Sequence, residues 1–107
     1  LHNSFYSNSD GDNMRYNIWV ERCRCKEPIT YFKGGYNIEF VVNATAHSFH
    51  INTNQGNNDS KDYNNGVSNN GAQQGTVTFT VPADAPDTLY YNCQFHSSMT
   101  AKITIID

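Results

Sequence analysis

The sequence predicts an all-β protein, a Greek-key β-sandwich of about seven short strands with one long Asn/Gly-rich insertion. Two observations support this fold class: apolar residues recur at every second position in several short runs, and turn residues separate these runs. No stretch shows a convincing helical pattern. At 107 residues, with 37% hydrophobic and 13% aromatic residues, the chain is large enough for one domain with one modest core.

The N-terminal part of the chain divides after residue 13. Residues 1–13 are polar and aperiodic, which indicates an N-terminal arm or linker, and residues 14–107 form the predicted domain. The first strand of the domain begins at Met14 and repeats with a period of two, so that alternate apolar residues share one face.

Six further strands follow in order. They are expected at residues 29–32, 36–42, 46–52, 76–81, 89–93 and 102–106. Gly34 and Gly35 provide the turn between the first two of them, because glycine accepts positive φ at little steric cost. The run from 36 to 42 shows the clearest alternation in the chain.

The long insertion spans residues 52–75 and contains eight Asn and four Gly. A loop of this length inside a compact domain is usually functional or mobile. Its apolar residues Tyr63, Val67 and Ala72 are too scattered to build a face, so the sequence predicts a polar loop there.

Composition excludes several classes of function. The net charge is −3 and no basic cluster occurs, which argues against nucleic-acid binding. No apolar run approaches the roughly 20 residues of a membrane span. No Ser-His-Asp set, Gly-rich phosphate loop or pair of catalytic carboxylates can be assembled, so we expect no enzyme. The three cysteines cannot all pair within one chain.

The stretch CQFHSSM places Cys93, His96 and Met99 three residues apart, between two predicted strands. Strand alternation puts Cys93 at the end of a core-facing set. It also puts His47 in a core-facing set near a strand end, while His50 is expected to face solvent. A thiolate, two imidazoles and a thioether are the ligand types of a blue-copper centre.

The segment 89–105 resembles the C-terminal ligand loop of the cupredoxins, the family of plastocyanin, azurin and amicyanin. Tyr91 and Leu89 stand two and four residues before the cysteine, as in that family, and the two-residue gaps are similar to the short loop of amicyanin. Upstream, His47 precedes an alternating apolar run, as the first histidine of the family does. Ser48 departs from the Asn that often follows this histidine.

The resemblance implies a cupredoxin-like domain that holds one type 1 copper ion and transfers single electrons to a protein redox partner. The implied ligands are His47, Cys93, His96 and Met99. His96 would be the edge through which electrons leave. The implied location is extracytoplasmic: periplasmic, secreted, or on a virion or cell surface.

Two alternatives remain open at the level of sequence. The chain could be a structural cupredoxin-like module of a virion or cell-surface assembly, in which the arm and the Asn-rich loop contact neighbouring subunits and copper is absent or only stabilising. It could also store or deliver copper(I) through Cys23 and Cys25, which the sequence otherwise explains as two small strand residues or as cysteines bonded to neighbouring chains.

Overall fold

The computed structural model describes residues 2–7, 13–19, 29–55, 62–93 and 96–106, with side chains described at 13–19, 33–55, 62–93 and 100–106. These residues form strands and turns and no helix, so the prediction of an all-β fold is confirmed. The strands are β1 (His2–Ser7), β2 (Asn13–Trp19), β3 (Ile29–Lys33), β4 (Asn37–Asn43), β5 (His50–Asn52), β6 (Val67–Ser68), β7 (Gln74–Thr80), β8 (Thr88–Cys93) and β9 (His96–Ile106).

The strands form two sheets. The first sheet has the order β1-β2-β4-β7-β6 and the second has the order β3-β9-β8-β5. Two neighbouring pairs, β2 with β4 and β3 with β9, run parallel, and the other pairs run antiparallel. Because β8 and β9 are antiparallel neighbours, the end of β8 and the start of β9 lie at the same end of the second sheet, and the CQFHSSM stretch spans them.

The core lies between the inner faces of the two sheets. A row of aromatic rings crosses it: Tyr16 and Phe40 have ring centroids 5.6 Å apart, Phe40 and Phe49 4.9 Å, and Phe49 and Tyr91 5.5 Å. These separations fall in the range that aromatic pairs prefer. The row begins in the first sheet and ends on β8, two residues before Cys93.

The polar N-terminal segment contains an edge strand. β1 pairs antiparallel with β2, with His2 opposite Trp19 and Ser7 opposite Met14. Backbone hydrogen bonding to a neighbour needs no apolar alternation, so a polar sequence such as HNSFYS gives no periodic signal. The structure thus extends the first sheet into residues that the sequence pattern assigned to an arm.

The expectation that the apolar residues of the insertion form no face is wrong. Tyr63, Val67 and Ala72 are partly buried and pack against the core. The ring of Tyr63 meets Phe79 edge-on at 6.0 Å, and Val67 pairs with the same residue through β6 and β7. The turns between these residues bring each of them to the sandwich, although their spacing follows no single period.

Two strands begin four or more residues away from the predicted position, and the other boundaries of the predicted strands differ by at most two residues. β5 begins at His50 rather than at residue 46, because a turn occupies the preceding residues. β9 begins at His96, six residues earlier than predicted, since His96, Thr100 and Ala101 also pair with β8. In the described part of the chain no helix is long and apolar enough to cross a membrane.

Candidate metal centre

His47 is positioned by a turn between β4 and β5. Its backbone N–H donates to the Ala44 carbonyl over 2.8 Å, and Ala46 adopts φ 68°. A positive φ at the third position is the geometry of a type II turn, in which glycine or asparagine is more usual. The N–H of Ala46 donates to the Gln73 side-chain oxygen over 3.0 Å. The turn that carries His47 is therefore held by the C-terminal end of the insertion.

Cys93 is the last residue of β8 and is completely buried. It follows Leu89 and Tyr91 on the core-facing side of the strand, and both of these residues are fully buried as well. The predicted inward direction of Cys93 is confirmed. A thiol in this place is shielded from water by the packed core, and its sulfur faces the turn that carries His47.

The structure brings His47 and Cys93 together across 46 residues of sequence. The Cys93 Sγ atom lies 3.9 Å from the His47 Nδ1 atom. Metal bonds of about 2.3 Å to a thiolate and about 2.0–2.1 Å to an imidazole sum to about 4.3 Å in zinc sites. The observed 3.9 Å lies within this sum, so the two atoms are close enough for one ion to reach both. The donor types, one thiolate and one imidazole, suit copper or zinc.

His96 and Met99 are described by their backbone alone. His96 begins β9 and is the backbone partner of Cys93, and the register then shifts so that the next pair is Asn92 with Thr100. Residues 97–99, which include Met99, bulge out of the ladder at this point. The side chains of His96 and Met99 lie outside the described residues, so ligation by them stays a prediction. Among the residues whose side chains are described, no group of three or more His, Cys, Asp or Glu gathers.

His50 does not face solvent, contrary to the prediction. Its side chain is only 9% exposed, and its Nδ1 atom lies 3.0 and 3.1 Å from the two carboxylate oxygens of Asp62. Its Nε2 atom is buried and has no hydrogen-bond partner among the described residues. Alternation placed His50 correctly on the outer face, but the insertion covers that face.

Sequence reasoning also missed the hydrogen-bonded amides on this side of the second sheet. Asn52 and Asn92 are each 1% exposed, and the Asn92 amide donates to the Asn52 side-chain oxygen over 2.7 Å. Asn70 bonds the backbone of Ile51 on both sides, accepting from its N–H over 2.8 Å and donating to its carbonyl over 3.1 Å. The only available signal was that short uncharged side chains occupy the outward positions of neighbouring strands, where charged ones are more usual.

Cys23 and Cys25 lie outside the described residues. The three interpretations of these cysteines, as strand residues, as disulfide partners of neighbouring chains or as copper(I) ligands, therefore remain predictions.

A search of solved structures finds a similar fold in a larger protein. The laccase from Pediococcus acidilactici Pa5930 matches with a TM-score of 0.55 and 13% sequence identity over 94% of this chain. The fold is cupredoxin-like. At this identity the likeness establishes the fold alone, and the cupredoxin-like chain spans 28% of the length of the laccase chain.

Auracyanin B matches with 16% identity over 85% of this chain and 88% of its own chain. Its TM-score of 0.47 is too low to support a structural conclusion. No protein-family model matches the chain, and no curated protein does. The cupredoxin-like fold thus rests on the architecture and the structural likeness, and the function has to be argued from the site.

Proposed function

We propose that this cupredoxin-like protein binds one copper ion in a type 1 site and transfers single electrons. The ligands would be His47, Cys93, His96 and Met99. The observation that carries the proposal is the 3.9 Å separation between the thiol sulfur and the imidazole Nδ1 atom, at the end of the sandwich where the 93–99 loop begins. Bound copper would supply a one-electron couple whose thiolate ligand favours copper(I) as well as copper(II).

The protein residues contribute rigidity and exclusion of water. Cys93 is fully buried, as are Tyr91 and Phe49 in the same core, so water is excluded from the core side of the thiol. His47 is held by a turn with a direct backbone hydrogen bond. Four protein ligands would leave no open position for a substrate, and the proposal is accordingly an electron carrier and not an enzyme.

The proposal includes a partner and a location. His96 would be the electron exit toward a docked redox protein, as the resemblance to the cupredoxins implies. The protein would act outside the cytoplasm, as expected from its cupredoxin-like character.

Copper titration followed by absorption spectroscopy tests the proposal. Adding copper(II) to the purified protein should produce an intense visible thiolate-to-copper charge-transfer band at one ion per chain. Cys93→Ser should abolish the band, and Cys25→Ser, a matched removal of another thiol, should leave it intact. A colourless wild-type protein, or a band that survives in Cys93→Ser, would contradict the proposal.

The same experiment separates the alternatives. A colourless protein that sediments as a large assembly would support the structural module. Uptake of more than one copper(I) ion per chain, reduced by replacing Cys23 and Cys25, would support storage or delivery.

A further inference from the structure

The outer face of the second sheet is buried and polar where it adjoins the candidate metal centre. His50, Asn52, Asn92 and Thr100 are each 7% exposed or less. Lys102, the next outward residue on β9, is exposed. The outer face is therefore covered only near one end of the sheet. Residues 93–99, here called the 93–99 loop, lie at that end.

These buried polar side chains form a continuous chain of hydrogen bonds that ends on the insertion. The Thr100 hydroxyl donates to the Asn92 side-chain oxygen. The Asn92 amide donates to the Asn52 oxygen over 2.7 Å, and the Asn52 amide donates to the Asp62 carboxylate over 2.7 Å. Each step joins a different strand or loop, so the chain ties β9, β8 and β5 to the insertion.

The first bond of this chain closes the base of the candidate ligand loop. Asn92 immediately precedes Cys93, and Thr100 immediately follows Met99. Asn92 and Thr100 are also backbone partners, and the ladder becomes irregular directly beyond them. A bulge leaves backbone groups unpaired and weakens the ladder locally. The loop is therefore held at its base by a side-chain bond just where the backbone pairing becomes irregular.

We propose that the Asn-rich insertion is a positioning element of the metal centre. Through Asp62 and Asn52 it holds Asn92, and through Asn92 it keeps the base of the 93–99 loop closed. Side chains that orient metal ligands from behind typically change metal affinity by 10- to 100-fold when removed. The inference deepens the proposed copper function and rests on it, while the clamp itself is measurable without metal.

The reactivity of Cys93 in the metal-free protein reports on loop opening. Thr100→Val removes the hydroxyl and keeps the shape, and Thr100→Ser keeps the hydroxyl. Alkylation of Cys93, followed by peptide mass spectrometry to separate it from the other cysteines, should be about tenfold faster in Thr100→Val than in the wild type, as expected from the loss of one buried hydrogen bond. Thr100→Ser should stay near the wild-type rate.

Two control variants separate the clamp from general stability and from charge. Val77→Ala creates a cavity in the first sheet, so it lowers the free energy of unfolding without touching the clamp. At an equal loss of stability, Thr100→Val should label faster than Val77→Ala. Asp62→Ala should also accelerate labelling, whereas Asp84→Ala, which removes an exposed carboxylate, should not. Equal labelling in the clamp variants and Val77→Ala would overturn the inference.

Copper binding gives the second readout. Thr100→Val and Asp62→Ala should weaken copper binding at least about tenfold and shift the visible band, with Thr100→Ser restoring both. If the wild type binds no copper but the clamp variants still expose Cys93, the proposed function fails and the clamp stands. If copper binds equally well in every variant, the positioning role fails and the copper function stands.

Discussion

His47 and His50 lie three residues apart and have opposite surroundings. His47 is partly exposed and points its Nδ1 atom at the buried thiol of Cys93. His50 is on the other side of the chain, buried under the insertion with its Nδ1 atom against the Asp62 carboxylate. Alternation assigned the direction of His50 correctly but not its environment, because environment depends on what packs over the strand. His47 lies in a turn, where strand alternation does not apply.

The comparison separates two uses of an imidazole. A partly exposed imidazole beside a thiol can exchange its solvent contact for a metal at little cost to the fold. In a buried imidazole, each ring nitrogen without a partner costs about 1–3 kcal/mol, and the Nε2 atom of His50 has none among the described residues. The Asp62 carboxylate satisfies one ring nitrogen of His50, and this contact helps to fasten the insertion.

Replacing each histidine by alanine should give opposite results, and this is the largest effect expected. His50→Ala should lower the free energy of unfolding of the metal-free protein by about 2–3 kcal/mol, because it removes a buried side chain and a hydrogen bond to a charged group. His47→Ala should cost less than about 1 kcal/mol. Urea unfolding checks both values.

Copper binding should show the reverse order. His47→Ala should lose the visible band of bound copper. His50→Ala should still show a visible band, with a changed affinity for copper. If His47→Ala destabilises the metal-free protein as much as His50→Ala, the contrast between the two environments is wrong.

Tyr16 is a second buried ionisable residue, and it lies in the first sheet, whereas His50 lies in the second. Burial raises the pKa of Tyr16 to about 12 from its ordinary value of 10.0. The unfolded chain therefore loses this proton first as pH rises. The stability from Tyr16 is complete below about pH 10 and is lost between about pH 10 and pH 12, at about 1.4 kcal/mol per unit.

Unfolding free energies at pH 9 and pH 11 measure this effect. The wild type should lose about 1.4 kcal/mol more than Tyr16→Phe over that interval. The phenylalanine variant keeps the ring that stacks on Phe40 and removes only the ionisable group. Equal pH dependence in the two proteins would show that the phenol ionises as easily in the folded chain as in the unfolded one.

Replacing Gly71 tests how closely the insertion packs on His50. The quantity of interest is the difference in stability from a control glycine variant, and it is the smallest difference expected. The φ of Gly71 is +93°, and a Cβ atom there would lie 2.9 Å from the His50 ring. Gly35 has a φ of +91° with nothing within 4 Å of its Cβ position, so it is a matched control. Both alanine variants pay about 1–2 kcal/mol for positive φ.

Gly71→Ala should be the less stable of the two by about 1 kcal/mol, because only there must the imidazole or the loop move. Thermal unfolding of both variants measures the difference. Equal melting temperatures would mean that the insertion can move away from His50 without a measurable loss of stability.

Most of the sandwich could be predicted because its signals are local. The strand from Asn37 to Asn43 alternates clearly, and Ile38, Phe40 and Val42 are buried as expected. The motif around Cys93 likewise indicated the thiol and its direction. The edge strand β1 could not be predicted, since its pairing with β2 depends on backbone hydrogen bonds that leave no apolar period.

The candidate site divides in the same way. Residue types and spacing singled out Cys93, and strand direction added His47. Nothing in the spacing of Asp62 relative to His50 or Asn52 indicated that these side chains meet, because Asp62 lies in the insertion and the other two lie in β5.

The amino-acid sequence alone determined the alternating strands, the inward thiol and the set of candidate ligands, because side-chain direction in a strand follows from a two-residue repeat. Only the tertiary structure decided that the insertion covers the outer face, buries His50 and joins Asp62 to the base of the 93–99 loop. Those contacts link residues 8 to 40 positions apart, and their formation depends on how chain segments pack in three dimensions.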